Sequence, residues 1–491
     1  MTSCDVVVIG GGPAGAAAAR LLASWDYSVV VLARPSRHSL AESLPPSCIK
    51  LFDTLGVRDA VDRAGFVRAT GNTVHWAGAT ERVEFFPSGA PGYQVSRDAF
   101  DSLLRAGAAA AGALVVDDAT VRTVERAADG SATVTYDASD GAHTLRARWT
   151  LDCSGRSGVV ARHGWRRADH GARTTALIGM WERAGGWRDL VPDDSHTLVE
   201  SYEGGWAWSV PCSATRRFFT VMVDPRVTPL PGTAQLASAY HAELARTERL
   251  RALRSDASLI APAFARDASP YAAERYAEPG TLLVGDAASF VDPLSSYGVK
   301  KALASAWLAA VVVNSAISDP RIGDQALALF GARERAIYDH LQRQAAALSR
   351  DASVAYASDF WLGRSAVDDE QPDAEVDVAA LRRDPRVVAA FEDIRERPSV
   401  HLRAAGLHIA QRAIVRGNRV AVEDHLVVSG LGESVRYLRS IDLVLLCRLA
   451  PQYDQVPDLF EAYNRSAPPT SLPDFLGALS ALVGFEVLAF A

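Results

Sequence analysis

The chain has 491 residues, of which 48% are apolar and 22% charged, and it carries a formal net charge of −7. This length allows two or three domains with sizeable cores, and an acidic chain without a basic tail argues against nucleic acid as a partner. The five cysteines are scattered, with no CxxC pair and no Cys/His cluster at metal spacing, so we expect a reduced, cytoplasmic protein without a metal site. The chain opens directly on a strand pattern, so we expect no signal peptide, and its longest uncharged run, 302–318, is short for a membrane span.

The first predicted element is a buried strand that leads into a glycine-rich turn and a helix. A run of four apolar residues precedes Gly10-x-Gly12-x-x-Gly15, and Pro13 and Ala14 then open a helix of small residues. Gly10 permits the tight turn, Gly12 lets the backbone approach a pyrophosphate, and Gly15 lets the helix pack against the strand. The N–H groups of the first helical turn would hold the phosphate charge. The pattern predicts a dinucleotide site, with an ordinary Gly-rich strand-to-helix turn as the alternative.

The second predicted strand, 29–32, ends without the acidic residue that usually binds the adenosine ribose. Ala33 stands at that position, and Arg34 follows it. We expect Arg34 to stack on the adenine or to contact a phosphate instead.

Two later motifs indicate which dinucleotide binds. Arg97 opens a predicted helix that Ser96 is expected to cap, with a Phe-Asp pair three residues on. A buried strand at 280–284 ends in Gly285-Asp286, whose carboxylate can accept hydrogen bonds from a ribitol chain. The three motifs in this order resemble the FAD-dependent aromatic hydroxylase superfamily, which implies a noncovalently bound FAD.

The order of elements predicts an α/β fold with a Rossmann-type FAD-binding domain and a β-sheet substrate-binding domain. We assign 1–65, 97–165 and 280–350 to the FAD-binding domain. The substrate-binding sheet domain is expected at 66–96 and 166–279.

The chain changes character after residue 365. An acidic, Pro-containing stretch at 368–377 predicts a linker, and mostly helical stretches follow as far as Arg412. We expect 365–491 to form a helical C-terminal region, with a winged-helix-like unit at 440–491.

Within the superfamily, three segments resemble flavin-dependent halogenases and the hydroxylases built on the same scaffold. The loop Ala41-Glu-Ser-Leu-Pro-Pro resembles their Gly-Glu-Ser/Ala loop, and Trp206-Ala-Trp208-Ser-Val-Pro resembles their Trp-x-Trp-x-Ile-Pro motif. The stretch 285–298 resembles the segment that passes the isoalloxazine ring, and the whole resemblance covers 5–350. It implies that further FAD contacts come from Glu42, Ser43, Pro293, Ser296, Tyr297 and Gly298.

The chain departs from the halogenase pattern at the lysine that delivers the hypohalous species in that family. Asn72 stands at this position when Trp76 is aligned with the aromatic residue that follows the family's lysine. The chain has three lysines: Lys50, which we expect on a surface helix, and Lys300 and Lys301, at the start of another helix.

Ser295 also stands where tryptophan-type halogenases carry a glutamate. A halogenase scaffold that lacks the amine of the family's lysine predicts a monooxygenase. Such an enzyme would hydroxylate an aromatic substrate through a flavin C4a-hydroperoxide. The segment 71–76 resembles halogenase-like monooxygenases that act on peptidyl tryptophan or on carrier-bound substrates, so an indole- or phenol-like ring is expected. Two alternatives stay open: a halogenase with a non-standard lysine, and an FAD reductase of the geranylgeranyl-reductase type.

No second GxGxxG occurs in the chain, so NAD(P)H has no predicted domain of its own. We therefore expect NAD(P)H to reduce the flavin through a partner flavin reductase, as halogenases require. The alternative is that NAD(P)H itself binds transiently and reduces the flavin.

The candidate catalytic side chain is His75, which could deprotonate a phenol or an indole N–H. The alternative is a histidine with a structural role on a strand. Three other histidines, His163, His170 and His196, show no partner spacing and are expected at the surface. The residues expected in the substrate pocket are Asn72, Trp76, Glu200, Tyr202, Trp206, Trp208 and Tyr297.

Overall fold

The computed structural model describes residues 2–34, 40–87, 89–166, 171–230, 236–365, 378–431 and 434–491. The chain divides into two compact units, Met1–Asp368 and Asp369–Ala491. The predicted acidic linker at 368–377 lies outside the described residues.

The described part of the first unit contains both strands and α-helices, with several runs of consecutive strands. Its strands are β1 (Thr2–Ile9), β2 (Val29–Leu32), β3 (Ala41–Leu44), β4 (Val67–Ala69), β5 (Gly71–His75), β6 (Arg82–Phe85), β7 (Gly92–Ser96), β8 (Leu114–Val116), β9 (Thr120–Arg126), β10 (Ala132–Ala138), β11 (Gly141–Asp152), β12 (Thr175–Glu182), β13 (Thr197–Tyr202), β14 (Gly205–Pro211), β15 (Arg216–Val223), β16 (Ser258–Leu259), β17 (Phe264–Asp267), β18 (Tyr271–Ala272), β19 (Ala277–Glu278), β20 (Thr281–Leu283) and β21 (Ser289–Phe290). Its helices are α1 (Pro13–Ser24), α2 (Ile49–Leu55), α3 (Arg58–Arg63), α4 (Arg97–Ala110), α5 (Leu236–Arg246), α6 (Arg249–Leu253), α7 (Gly298–Ser318), α8 (Gly323–Ala355) and α9 (Asp359–Ser365).

The first sheet has the strand order β19-β20-β11-β1-β2-β8, with β10 paired to β11 and β9 paired to β10. Strand β1 lies parallel to both β11 and β2, and β11 lies parallel to β20. The last four residues of β1 are fully buried, as expected for a parallel strand that helices cover on both faces. The register aligns Ile9 with Leu32 and with Asp152, and Asp152 with Leu283, so four carboxyl ends meet at one edge.

Helix α7 packs against α1 and α8. Among the described helices it is the one long and apolar enough to cross a membrane, but most of it is buried inside the first unit. The Tyr27 hydroxyl donates to the Asn314 side chain of α7 at 2.8 Å, so this buried polar group has a hydrogen-bond partner. We interpret α7 as the core helix that covers the parallel sheet.

The second sheet has the order β16-β12-β15-β14-β13-β5-β6, with β17 also paired to β12. Alternation along these strands creates two faces. One face, here called the aromatic face, carries a cluster that includes Trp76, Trp206 and Phe218. The opposite face packs Trp181 and Tyr202 against α5 and α6, and is here called the helix-covered face.

Strands β4 and β7 were expected in this substrate sheet, but they form a separate three-stranded sheet of order β3-β7-β4. The pairing of Glu42 with Val95 brings the β3 loop beside the start of α4. Ser96 occupies the N-cap position of α4, as predicted from the sequence, without a side-chain hydrogen bond to the helix.

The second unit has its own core, to which its five described helices and several short strands contribute residues. The prediction of mostly helical structure as far as Arg412 holds up to Glu396, where two helices are found, and fails after it, where a three-residue strand and the start of a hairpin follow. Alternating polar and apolar residues along the hairpin explain its strand structure. The elements of this unit are β22 (Leu402–Ala404), β23 (Ile409–Arg416), β24 (Arg419–Leu426), β25 (Tyr437–Leu438), β26 (Ile441–Asp442), β27 (Leu488–Phe490), α10 (Val378–Leu381), α11 (Pro385–Glu396), α12 (Leu443–Leu449), α13 (Val456–Ser466) and α14 (Leu472–Gly484).

Candidate active site

A cavity of about 360 Å³ lies at the edge where the carboxyl ends of β1, β2 and β11 meet. Ligands of open α/β sheets bind at this edge because the loops that leave the strands diverge there. The predicted cofactor residues that line the cavity are Gly10, Gly12, Pro13, Ala14, Arg34, Glu42, Arg97, Asp286, Pro293, Ser296 and Gly298.

The three glycines of the turn are required for different physical reasons. Gly10 has φ +111°, and a side chain there would collide with the carbonyl of Cys153. A side chain on Gly15 would collide with the carbonyl of Gly10, so Gly15 serves helix-strand packing and does not line the cavity. A Cβ on Gly12 would meet nothing closer than Arg97 and Asp101 atoms at 3.9 Å, so space is open in front of this residue.

Helix α1 begins beside this open space. Gly12 is its N-cap residue, no side chain caps the helix, and no acidic residue lies in its first turn. The first N–H groups and the positive end of the helix dipole are therefore available to an anion. This arrangement fits the diphosphate of a dinucleotide.

Arg97 lines the cavity near Gly12 and is held by two carboxylates. Its Nη1 donates to Glu42 Oε1 at 3.2 Å, and its Nε donates to Asp101 Oδ1 at 3.0 Å. Burial favours the neutral guanidinium, but Asp101 and Glu42 outweigh it and raise the pKa of Arg97. Burial also raises the pKa of Glu42, against the opposing charge of Arg97. The three side chains form a rigid polar wall that can bind hydroxyl and phosphate groups.

Asp286 lies on the short turn that follows β20 and lines the cavity. Hydrogen bonds to its backbone carbonyls hold this turn in place. The Tyr271 hydroxyl donates to the Asp286 carbonyl at 2.6 Å. Lys301 is 3% exposed, and its ammonium donates to the carbonyls of Gly285 and Ser289 at 3.0 and 2.7 Å. The Asp286 carboxylate is thereby presented on a fixed backbone.

The sequence predictions missed one wall of the cavity, the loop after β11. Cys153, Ser154 and Gly155 line the cavity, and the buried Asp152 shapes their loop by accepting hydrogen bonds from the Ser154 hydroxyl and the amide of Val160. A buried strand that ends in Asp-Cys-Ser-Gly beside the first strand is a signal that could have identified this loop.

Two predicted cofactor residues lie elsewhere. Ser43 is in the middle of β3, paired with Gln94, and does not line the cavity. Tyr297 precedes α7, and the Lys300 ammonium lies 4.7 Å from its ring centroid. Tyr297 does not line the cavity either, although Ser296 and Gly298 on either side of it do.

The aromatic face of the second sheet borders the same cavity. Trp206 and Trp208 stack with ring centroids 4.6 Å apart, as expected for residues two positions apart on one strand. Trp76 packs in the same cluster and donates from its indole N–H to the Leu348 carbonyl. Phe290 belongs to this cluster and also lines the cavity, so the aromatic face and the cofactor cavity are continuous.

Three predicted site residues lie on the opposite, helix-covered face. Glu200 caps α6 by accepting hydrogen bonds from the amides of Arg249 and Leu250 at 3.0 and 3.1 Å. The Tyr202 hydroxyl donates to Glu243 at 2.8 Å within the core of that face. The expectation that Glu200 and Tyr202 line the substrate pocket is corrected by this geometry, since alternation along β13 turns them away from the aromatic face.

His75 is the third of these residues. It aligns with Glu200 across the β5–β13 pair, and its Nε2 lies 2.5 Å from Glu81 Oε2. Arg249 Nε donates to its Nδ1 at 3.4 Å. His75 therefore belongs to a polar cluster with Glu81 and Arg249, and the general-base role expected for it is not supported by its position.

Replacing His75 with alanine is expected to change the rate of product formation by no more than about 3-fold, because general acid–base groups contribute about 10²–10⁴-fold. Steady-state turnover of the holoenzyme measures this effect. A loss of 100-fold with normal flavin content would restore His75 as the base.

The remaining predicted residues are placed as follows. Asn72 is half-buried on β5, on the same side of the strand as Val74, which packs against the aromatic cluster. His196 is 1% exposed and its ring contacts the hydroxyls of Thr70 and Thr73, so its expected surface position is wrong. His163 is exposed, and His170 lies outside the described residues.

Within the described ranges, no group of three or more His, Cys, Asp or Glu side chains could hold a metal ion.

A family model for the FAD binding domain matches residues 3–318. The chain belongs to this FAD-binding family. The match agrees with the glycine turn, the open cradle at Gly12 and the Asp286 turn, and it confirms the predicted FAD cofactor.

Among similar proteins, the tryptophan 2-halogenase of Chondromyces crocatus is 28% identical over 333 residues, covering 65% of this chain and 62% of that protein. The flavin-dependent halogenase ascD of Acremonium egyptiacum is 29% identical over 347 residues, covering 64% of this chain and 62% of that protein. The chain thus matches just over three fifths of the length of these relatives.

Two solved structures share the fold over nearly the whole chain. The flavin-dependent halogenase CmlS superposes with a TM-score of 0.77 at 21% identity, covering 99% of this chain and 96% of that chain. The peptidyl tryptophan dihydroxylase QhpG superposes with a TM-score of 0.70 at 23% identity, covering 94% of this chain and 95% of that chain. The predicted α/β fold with an FAD-binding domain is confirmed by the family match and by these two structures. The likeness to halogenases and to a hydroxylase agrees with the scaffold that the sequence motifs predict.

Proposed function

We propose that the protein is an FAD-dependent monooxygenase that hydroxylates an aromatic, indole- or phenol-like substrate. Reduced FAD, once bound, would supply the chemistry that activates oxygen. The chain's own residues bind the diphosphate at Gly12 and α1, bind cofactor hydroxyls at Asp286, and place an apolar surface beside the cavity.

The observation that carries the proposal is the position of the lysines relative to the aromatic face. Lys50 is exposed on α2, Lys300 lies over the Tyr297 ring, and Lys301 is buried with its ammonium on two backbone carbonyls. Asn72 lies on the aromatic face where the halogenase pattern has its lysine. An amide cannot form a chloramine and is a poor carrier of an electrophilic halogen, whereas hydroxylation needs no such group.

The shape and chemistry of the aromatic face support the substrate class. Trp208, Phe290 and Val74 are half-buried there and present apolar surface next to the cavity. A flat aromatic ring can stack on such side chains while water is kept out. The peptidyl tryptophan dihydroxylase with the same fold acts, by its name, on a tryptophan within a peptide, and the brominase of Pseudoalteromonas luteoviolacea acts on a carrier-bound pyrrole. We therefore include peptidyl and carrier-bound aromatic groups among the candidate substrates.

A separate flavin reductase is the proposed source of reduced FAD. The described residues contain one parallel sheet with one glycine turn of the dinucleotide type, and the FAD site accounts for it. NAD(P)H has no comparable site in the described ranges. A cytoplasmic location, which suits five free cysteines, remains part of the proposal.

The proposed reaction predicts a product heavier by one oxygen and free of halogen. Protein, FAD, NADH and a flavin reductase are incubated with free and peptidyl aromatic substrates in bromide- and chloride-containing buffer under ¹⁸O₂. Mass spectrometry should show a shift of 18 mass units and no halogen isotope pattern. An enzyme-dependent halogenated product that survives catalase would contradict the proposal.

Halogenation is the second candidate function, and one observation favours it: both relatives given above are named halogenases. The same experiment distinguishes the two reactions. The Asn72→Lys variant is the matched control, and we expect it to remain a poor halogenase because Ser295 also differs from that pattern.

A further inference from the structure

Two neighbouring loops of the first sheet border the FAD cavity. The loop after β11, here called the β11 loop (153–159), contributes Cys153, Ser154, Gly155, Ser157 and Val159 to its lining, and the turn after β20 contributes Asp286. Strands β11 and β20 lie side by side and parallel, so both loops leave the same edge of the sheet. Loops that leave parallel strands diverge at this edge. The distance between the two loops therefore depends on side chains that join them.

The Arg166 side chain joins the two loops through backbone carbonyls. Its Nη1 donates to the Arg156 carbonyl in the β11 loop at 2.9 Å. Its Nη2 donates to the carbonyls of Ala287 and Asp286, at 2.9 and 3.3 Å. The N–H groups of a guanidinium lie in one plane at fixed angles, so the group holds its acceptors at a fixed separation.

The guanidinium is itself held in place by its surroundings. It lies 3.9 Å from the centroid of the Tyr271 ring, and the Tyr271 hydroxyl donates to the same Asp286 carbonyl at 2.6 Å. The backbone of Arg166 pairs with Ala273, two residues beyond this tyrosine. A side chain on Gly158 would lie 2.7 Å from Arg166 Nη2, so the glycine leaves room for the guanidinium.

The same contacts extend to Phe290, which lines the cavity beside the aromatic face. Tyr271 pairs with Phe290 across β18 and β21, and their rings stack with centroids 6.1 Å apart. The Arg156 guanidinium lies 4.1 Å from the centroid of the Phe290 ring. Because Arg166 binds the Arg156 backbone and packs on Tyr271, it also supports the position of Phe290.

We infer that Arg166 is a positioning residue for FAD: its guanidinium joins the β11 loop to the Asp286 turn and so fixes the shape of the cavity between them. Arg166 does not line the cavity, so it acts through the two loops. This inference concerns the FAD site and does not depend on which reaction the enzyme catalyses.

The test compares Arg166→Met, Tyr271→Phe and the combined variant, each as the full chain reconstituted with FAD. The dissociation constant of FAD, the visible spectrum of bound FAD and amide hydrogen exchange are measured. Arg275→Met is the matched control. This arginine also donates to a carbonyl, that of Gly164 at 3.3 Å, and lies over an aromatic ring, that of Trp165 at 5.7 Å, but neither contact involves the two loops.

Arg166→Met should weaken FAD binding about 10-fold, because both loops lose a charged hydrogen-bond donor. The visible spectrum should change, and exchange should increase in both 153–158 and 285–290. Tyr271→Phe keeps the ring and should stay within about 3-fold of the unaltered protein. The combined variant should lose more affinity than the product of the two single losses, because the Asp286 carbonyl then loses both side-chain donors. Arg275→Met should match the unaltered protein.

Several results would overturn the inference. An Arg166→Met variant with normal FAD affinity and spectrum would show that the two loops do not need the guanidinium. Increased exchange in one loop alone would show that the side chain does not join them. An equal increase throughout the second sheet would indicate general destabilisation, and single losses that merely multiply would separate Arg166 from the Asp286 turn.

If Arg166→Met does not fold, Arg166→Lys decides the question. The lysine retains the charge but not the planar fork, so FAD binding should still weaken by about 3- to 10-fold. Exchange should increase in at least one of the segments 153–158 and 285–290. An Arg166→Lys protein that matches the unaltered one in affinity, spectrum and exchange would show that the fork is not needed, and the inference would be wrong.

Discussion

Replacing Gly12 with valine is expected to abolish FAD binding while the protein remains folded. The nearest atoms to a Cβ at this position are 3.9 Å away, so the protein itself can accept the side chain. The valine would instead fill the space in front of the α1 N-terminus, where the FAD diphosphate must bind. We expect FAD affinity to fall by about 100-fold or more, the equivalent of losing two or three hydrogen bonds to a charged group.

Two glycine variants serve as controls for this prediction. Gly331→Val, on α8 with nothing within 4 Å of its Cβ, should bind FAD normally. Gly15→Val should not fold, because its side chain would occupy the position of the Gly10 carbonyl. Flavin content of the purified proteins and their circular dichroism distinguish the three outcomes. A yellow Gly12→Val protein with a normal flavin-to-protein ratio would contradict the assignment of the diphosphate site.

The parts of the site that were predictable from sequence are those encoded by local constraints. A run of buried apolar residues before Gly10 specifies a parallel strand, and the spacing to Gly15 specifies the helix that packs on it. The Gly285-Asp286 pair was identifiable for the same reason. It directly follows a buried strand, and ligands of parallel sheets bind at the carboxyl ends of the strands. Such signals require only a few consecutive residues.

The face on which a strand residue lies was harder to predict. Trp76 and Asn72 are an even number of positions apart and share the aromatic face, whereas His75 alternates to the other face. The face of each residue in β5 could be predicted from its spacing to Trp76, once Trp76 was placed in the pocket. The faces of Glu200 and Tyr202 could not be predicted in this way. Apolar residues occur at both odd and even positions of β13, because this strand is buried on both faces.

Long-range partners could not be predicted from the sequence. Lys301 was predicted only as a residue at a helix start. Its role depends on the carbonyls of a turn on a different element, which no local pattern specifies.

Lys301 is the residue whose loss should destabilise the first unit most. Its buried ammonium holds the carbonyls of Gly285 and Ser289, on either side of the Asp286 turn. Glu334 on α8 is fully buried, and the charge of Lys301 favours its ionised form. Burial raises the pKa of Glu334, and Lys301 and the Ser305 hydroxyl act against this rise.

Lys301→Met is expected to lower the free energy of unfolding by about 3 kcal/mol near neutral pH, since two carbonyls lose a charged donor and Glu334 loses its nearby cation. The folded-state pKa of Glu334 is raised above its unfolded value, so its contribution to stability is full below the unfolded pKa of about 4.5 and is lost as pH rises through the folded pKa. The penalty for Lys301→Met should therefore shrink as the pH is lowered toward 5, where Glu334 can take up a proton. Adding Glu334→Gln should recover part of the loss and remove this pH dependence. Both effects are measured by urea unfolding between pH 5 and 8, with flavin release as the signal. A Lys301→Met protein as stable as the unaltered protein at every pH would show that the ammonium does not hold the turn.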